Sequence, residues 1–171
     1  METPASIARH PLHPMLVVVP IGLWFFSLVC DVIVYASNVE EIEILWFTLG
    51  YYTLGAGLAG ALAAAVPGLV DYISLRERRQ RELATVHLAL NLVVIALYTA
   101  NLWVRSQDPP EFEIAFSLSV LGMSLLAVSG WIGGELVHVH GVGVAGRVEA
   151  PRDRAADTSA SEPSATRLGR T

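Results

Sequence analysis

The sequence predicts an all-α integral membrane protein, a four-helix bundle followed by a disordered C-terminal tail. Of the 171 residues, 53% are hydrophobic and only 16% are charged. The mean hydropathy of +0.51 is higher than a soluble domain of this length needs. The apolar residues form four segments of about 20 residues or more, each long enough to cross a hydrocarbon core of about 30 Å. None of these segments shows the broad polar face of a helix in a soluble bundle.

The four predicted spans cover residues 15–35, 46–72, 83–104 and 114–137. Residues 1–14 form an N-terminal segment, and a proline such as Pro14 is well tolerated at a helix start because its missing N–H would be unpaired there. The transmembrane domain extends over residues 15–140, and Gly141 ends its last helix. Residues 141–171 form the tail, whose scarcity of large apolar side chains predicts disorder. No internal repeat stands out along the chain.

The arginines predict the orientation of the spans, since the chain contains no lysine. Arg9 precedes span one, four arginines lie between spans two and three, and five follow span four. On the other side of the membrane only Arg105 occurs, beside two acidic loops. The positive-inside rule therefore predicts that both termini and the arginine-rich loop between spans two and three lie in the cytoplasm.

Two glycine-rich segments match the G-x-G-x-x-G pattern, at residues 55–60 and 141–146. Neither follows a strand, so neither has the context of a dinucleotide-binding loop. The first is interpreted as a small-residue helix face, and Gly130 with Gly134 forms a similar pair. Such faces predict close helix contacts, either inside the bundle or in a homo-oligomer. The lipid bilayer is the expected surrounding of the spans, and a nucleic-acid partner is not expected.

All five histidines lie at the predicted cytoplasmic ends of the spans. They are His10, His13, His87, His138 and His140. At 100° per residue, each span also carries a polar stripe that ends on this side of the membrane. The stripe of span three contains His87, Asn91, Tyr98 and Asn101, and that of span four contains Ser117, Ser124, Trp131, Glu135 and His138. Because polar groups in lipid are costly, these stripes should face the bundle interior. The residues that the stripes bring to this end are His13, Asp71, His87, Glu135 and His138.

This set predicts a cofactor site. One haem b is the first candidate, since four-helix bundles hold haem between facing helices and the axial ligands would come from His13, His87 and His138. A metal ion is the second, with His13, Asp71, His87, Glu135 and His138 as candidate ligands. A redox role would then require a separate electron-transfer protein, because the chain has a single cysteine and cannot hold an iron–sulfur cluster by itself.

Two further hypotheses stay open. Asp31, Asp71, His87 and Glu135 could relay protons or ions across the bundle, although only Ser, Thr, Asn and Tyr side chains connect the two ends. The polar residues could instead form a purely structural network. The sequence favours the haem or metal role over transport, and transport over a structural subunit.

Four stretches of the sequence form a specific combination. They are the segment from His10 to Trp24 that closes with Asp31, the motif Gly68-Leu-Val-Asp71-Tyr72, the pair His87 and Asn91, and the stretch from Ser129 to Glu135 that leads to His140. Together they resemble a bacterial family of membrane proteins known as domain of unknown function 2231, which makes the bacterial inner membrane the expected location. The resemblance covers the chain from about His10 to Val144. It implies four transmembrane helices and an activity that is not known. Fusions of some relatives to Rieske iron–sulfur domains suggest a redox setting.

Overall fold

The computed structural model describes residues 4–8 and 10–143 of the chain. Four of its helices are long and apolar enough to cross a membrane, which confirms the predicted all-α architecture with four spans. The elements are β1 (Ser6–Ile7), β2 (His10–Pro11), α1 (Leu12–Leu16), α2 (Val18–Ala36), α3 (Glu40–Ser74), α4 (Arg78–Arg105) and α5 (Phe112–His138).

The first span is formed by α1 and α2, which are separated only at Val17. Pro20 explains this break, because it lacks an N–H and its ring crowds the carbonyl of Leu16, four residues before it. Every other predicted span lies inside one continuous helix. The helices extend past the apolar segments, and α3 begins with Glu40 and Glu41, whose charge suits the positive end of the helix dipole.

The bundle consists of two helical hairpins. The first hairpin contains α1, α2 and α3, and the second contains α4 and α5. Short connections join consecutive spans, so neighbouring spans run in opposite directions. The outer surface is apolar, with Phe25, Val66, Leu92 and Val128 each more than half exposed. Such a surface fits a lipid environment, since every helix satisfies its own backbone hydrogen bonds.

The described part of the N-terminal segment packs against the third helix. β1 and β2 form a two-residue antiparallel ladder, and the backbone N–H of Ala5 donates to Asp71 Oδ1 in α3 at 3.1 Å. The predicted disordered tail, residues 141–171, lies outside the described residues from position 144 onward.

Candidate functional site

The interior of the bundle holds two polar clusters. The histidine cluster contains His13, His87, Asn91 and Ser129. The ion-pair cluster contains Asp31, Asn101, Arg105 and Ser119. Along α4, His87 and Arg105 are 18 residues apart, which corresponds to about 27 Å at 1.5 Å per residue. The clusters therefore lie near opposite ends of the spans.

In the histidine cluster, the two imidazoles come from different hairpins. The ring centroids of His13 and His87 are 6.3 Å apart, with the planes at 85°. His13 Nδ1 lies 2.8 Å from the carbonyl of Ala64, and His87 Nδ1 lies 2.9 Å from that of Ser129. A carbonyl only accepts hydrogen bonds, so each Nδ1 carries a proton and donates it. In the neutral ring, each Nε2 is then left with a lone pair.

The two Nε2 atoms differ in their surroundings. Asn91 Nδ2 donates to Nε2 of His87 at 3.0 Å and also to the backbone carbonyl of His87 at 2.9 Å. Among the described residues, nothing hydrogen-bonds to Nε2 of His13. The cluster therefore contains one imidazole nitrogen that is free to bind and one that Asn91 would have to release.

Glycines make room for both imidazole rings. A Cβ atom at Gly68 would lie 2.8 Å from His13 Nδ1, and one at Gly133 would lie 3.0 Å from His87 Cε1. The distance at Gly68 is shorter than real Cβ contacts and the distance at Gly133 is tighter than most of them, so a larger residue at either position would push against the ring. The helix backbone thus holds each histidine in place.

The other predicted site residues lie elsewhere. His138 is exposed, and its Nδ1 lies 2.9 Å from the carbonyl of Gly134 in its own helix. Asp71 accepts the hydrogen bond from Ala5, and Glu135 lies 4.0 Å from His140. In residues 4–8 and 10–143 no group of three or more His, Cys, Asp or Glu side chains is arranged to hold a metal ion. Of the predicted set, the structure pairs only His13 with His87.

The prediction that the stripe of Trp131, Glu135 and His138 faces the interior is wrong. Trp131 is 79% exposed, and all three residues line an open groove on the outside of α5. The inward face instead carries Ser119 and Ser129, both buried. Serines occur on both faces of this helix because a serine can satisfy its hydroxyl on its own backbone. The sequence pattern therefore could not distinguish the two faces.

The first predicted small-residue face packs inside the bundle. A Cβ atom at Gly60 would lie 3.2 Å from Val19 and 3.3 Å from Pro20, and Ala64 is buried. The second face is uncovered, since within the described part of the chain nothing lies within 4 Å of a Cβ built at Gly130 or Gly134.

The ion-pair cluster was not predicted. Arg105 Nη2 donates to both carboxylate oxygens of Asp31 at 2.7 and 2.6 Å, and both side chains have no solvent exposure. Ser119 Oγ donates to Asp31 Oδ2 at 2.7 Å. Arg105 Nε donates to Asn101 Oδ1 at 2.8 Å, and the guanidinium lies 5.6 Å from the ring centroid of Phe47. Buried charges are tolerated only with such partners.

A sequence signal for this cluster did exist. The polar stripe of α4 runs through Tyr98 and Asn101, and Arg105 is the next position on the same face, four residues after Asn101. Asp31 is the one acidic residue inside span one. Since charged residues within a membrane pair with one another, the two could have been joined. The sequence pattern places Arg105 beside the acidic loops without a partner, whereas the structure buries its side chain at the end of α4.

An apolar layer separates the two clusters. Trp24 and Tyr98 stack with centroids 4.1 Å apart and planes at 9°, and Leu54 and Val94 pack against them. Trp24 Nε1 donates to the carbonyl of Leu54 at 3.3 Å, whereas the Tyr98 hydroxyl is buried with no hydrogen-bond partner among the described residues. The hydrogen bonds among the described residues therefore form no continuous path between the two clusters.

Comparison with known proteins is consistent with this architecture. The family model described as predicted membrane protein (DUF2231) matches residues 9–146. The match includes the two clusters, the apolar layer and all four spans. No curated protein and no solved structure shows a significant match to the chain. The chain therefore belongs to the membrane-protein family called domain of unknown function 2231.

Proposed function

We propose that this membrane protein binds one transition-metal ion between His13 and His87. The observation that carries the proposal is the facing pair of imidazoles, each held through Nδ1 by a carbonyl of the neighbouring helix. Metal-binding histidines commonly donate the other ring N–H in this way, which fixes the ring and leaves Nε2 for the ion. Imidazole suits zinc, copper, iron and nickel.

The separation of the two rings bears on whether they can share one ion. Metal–imidazole bonds are about 2.0–2.1 Å long, so two nitrogens on one ion lie no more than about 4 Å apart. The ring centroids of His13 and His87 are 6.3 Å apart, so the two rings can share an ion when their Nε2 atoms turn toward each other. The remaining coordination positions would be filled by water or by a small ligand. Asn91 would release His87 Nε2 and keep its second hydrogen bond, to the backbone carbonyl.

One haem b is the second candidate, because two imidazoles from facing helices are also the usual axial ligands of haem in such bundles. In that case the protein would exchange electrons with a separate redox protein. A proton or ion path across the bundle has less support, since the layer of Trp24, Tyr98, Leu54 and Val94 lies between the polar clusters. The arginine distribution supports a bacterial inner-membrane location with the histidine cluster on the cytoplasmic side.

The test is elemental analysis and absorption spectroscopy of the purified protein, followed by titration with Zn²⁺ and Cu⁺ in detergent. We expect one ion per chain in the wild type and loss of binding in both His13→Leu and His87→Leu. His138→Leu is the matched control, because His138 is exposed and bonded within its own helix. A Soret band that shifts on reduction would identify haem instead. Protein that binds neither metal nor haem would contradict the proposal.

Asn91→Leu sharpens this test. The substitution removes the donor that competes for His87 Nε2, and a hydrogen bond of this kind contributes about 0.5–1.5 kcal/mol. We therefore expect metal binding up to about tenfold tighter than in the wild type. Weaker binding in Asn91→Leu would show that the Asn91 amide supports the site rather than competing for it.

A further inference from the structure

Three side-chain contacts between the hairpins link residues that are 74 positions apart. The three pairs are His13 with His87, Trp24 with Tyr98, and Asp31 with Arg105. They lie at three levels along the bundle, in the histidine cluster, the apolar layer and the ion-pair cluster. The first members all belong to the first span, and the second members all belong to α4.

The residues of α3 and α5 that contact these side chains are also related by a constant offset, which is 65 positions. The backbone carbonyls of Ala64 and Ser129 accept hydrogen bonds from His13 and His87, respectively. In the same way, the carbonyls of Gly50 and Ala115 accept hydrogen bonds from Ser27 and Asn101. Glycines at equivalent positions lie against the histidine rings and against the stacked aromatic rings. The equivalent positions are Gly50 and Ala115, Gly57 and Gly122, Ala64 and Ser129, and Gly68 and Gly133.

This pattern is the signature of a twofold axis. When two copies of a unit pair through the same surface, residues on the axis contact their own counterparts. Here the first span and α4 run in the same direction, so the axis lies along the bundle, between His13 and His87 at one end and between Asp31 and Arg105 at the other. Parallel repeats related by an axis along the membrane normal occur in other membrane proteins.

The sequence hides the repeat for two reasons. From His13 to Asp31 and from His87 to Arg105, six of 19 aligned positions carry the same residue, but five of these are Leu, Val or Ile, which most membrane spans share. In addition, the stretch between equivalent positions of the two helices is nine residues shorter in the second hairpin, with residues 106–114 in place of residues 32–49, so the offset falls from 74 to 65. A search for one fixed period therefore fails.

We infer that the chain contains two copies of one two-helix unit. The ion pair of Asp31 with Arg105 favours pairing of the first copy with the second over pairing of two first copies or two second copies. The inference rests on contacts between the hairpins and is independent of metal binding at His13 and His87.

The charges support this role. If two first hairpins paired through this surface, Asp31 would face Asp31 in a site without solvent, and two second hairpins would bring Arg105 against Arg105. Like charges brought together are repulsive, and each buried charge would also lack its partner. The histidine end imposes no such choice, because two neutral imidazoles can face each other whichever hairpins pair. Recognition between the hairpins is thus located at the ion-pair end.

Exchange variants test the inference. In the single variants Asp31→Arg and Arg105→Asp, like charges face each other, and we expect the Tm in detergent to fall by about 10 °C or more. The double variant with both substitutions restores opposite charges at equivalent positions, so it should recover more than half of that loss. The control double variant is Arg105→Ser with Ser119→Arg. These two residues also touch, at 3.2 Å, but the repeat does not relate them, so the control should stay at the low Tm.

A second exchange tests the repeat without moving a charge. Trp24→Tyr with Tyr98→Trp should lower the Tm by only a few degrees, because the two positions have equivalent surroundings. The control, Trp24→Val with Val94→Trp, uses a buried neighbour at a position that the repeat does not relate, and it should lower the Tm much more. An aromatic exchange no better than this control would overturn the repeat. A charge exchange no better than its single variants would overturn the role of the ion pair.

Discussion

The two ends of the bundle hold their buried polar groups in different ways. At the ion-pair end, Asp31 and Arg105 have no solvent exposure, and their partners are other side chains, Asn101 and Ser119. At the histidine end, His13 and His87 are only partly buried, and each is held by a backbone carbonyl. A buried charge must be neutralised by an opposite charge, whereas a neutral imidazole needs one acceptor and keeps one nitrogen available. The first arrangement suits assembly and the second suits binding.

Breaking the ion pair should have the largest effect on stability. In Arg105→Leu the Asp31 carboxylate stays buried without its counter-charge, which typically costs about 3–5 kcal/mol. Thermal unfolding in detergent should show a Tm lower by about 10 °C or more. Replacing both Asp31 and Arg105 by leucine removes the uncompensated charge, so the double variant should be more stable than the single one. Equal Tm values for the wild type and Arg105→Leu would show that the pair contributes little.

At the histidine end, the glycine beside a ring should be the sensitive position. Gly133→Ala places a methyl group 3.0 Å from His87 Cε1, and overpacking of this kind costs about 1–3 kcal/mol. We expect a Tm lower by several degrees and weaker metal binding. Gly130→Ala is the matched control, because no described atom lies within 4 Å of its Cβ position. If both variants behave alike, the close contact between Gly133 and His87 does not position the ring.

Removing the Tyr98 hydroxyl from the apolar layer should change stability less than the two preceding substitutions. Tyr98→Phe keeps the stack on Trp24 and removes a buried hydroxyl that has no partner in the described structure. Since an unpartnered hydroxyl contributes no hydrogen bond, we expect a change in unfolding free energy of less than about 1 kcal/mol, with slight stabilisation as the favoured direction. Chemical unfolding followed by tryptophan fluorescence measures it. A loss above about 2 kcal/mol would reveal a partner for the hydroxyl, such as ordered water.

Trp24→Phe provides the contrast for this measurement. It reduces the area of the ring that stacks on Tyr98 and removes the hydrogen bond to the carbonyl of Leu54, so it should destabilise the protein more than Tyr98→Phe does. Because the indole itself is lost, this variant is best followed by circular dichroism.

The sequence alone determined the membrane architecture and the general position of the candidate site. Long apolar segments and the costs of polar groups in lipid require four spans, and the stripe from His87 through Asn91 to Tyr98 identified one inward face correctly. Periodicity succeeded on α4 because its other faces carry few polar residues between the first and last turns. On α5 it failed, since serines and glycines line several faces.

Only the tertiary structure decided which polar residues meet. Asp31 and Arg105 are 74 positions apart, and although both are charged residues at the ends of polar stripes, the sequence pattern does not give the rotation of one helix against another. Packing fixes it, through glycines such as Gly57 and Gly68 that admit one neighbouring ring each. The same packing separates Glu135 and His138 from the histidine pair and reveals the twofold relation of the hairpins. Composition determines whether a helix lies in lipid or in water, whereas close packing determines which side chains it contacts.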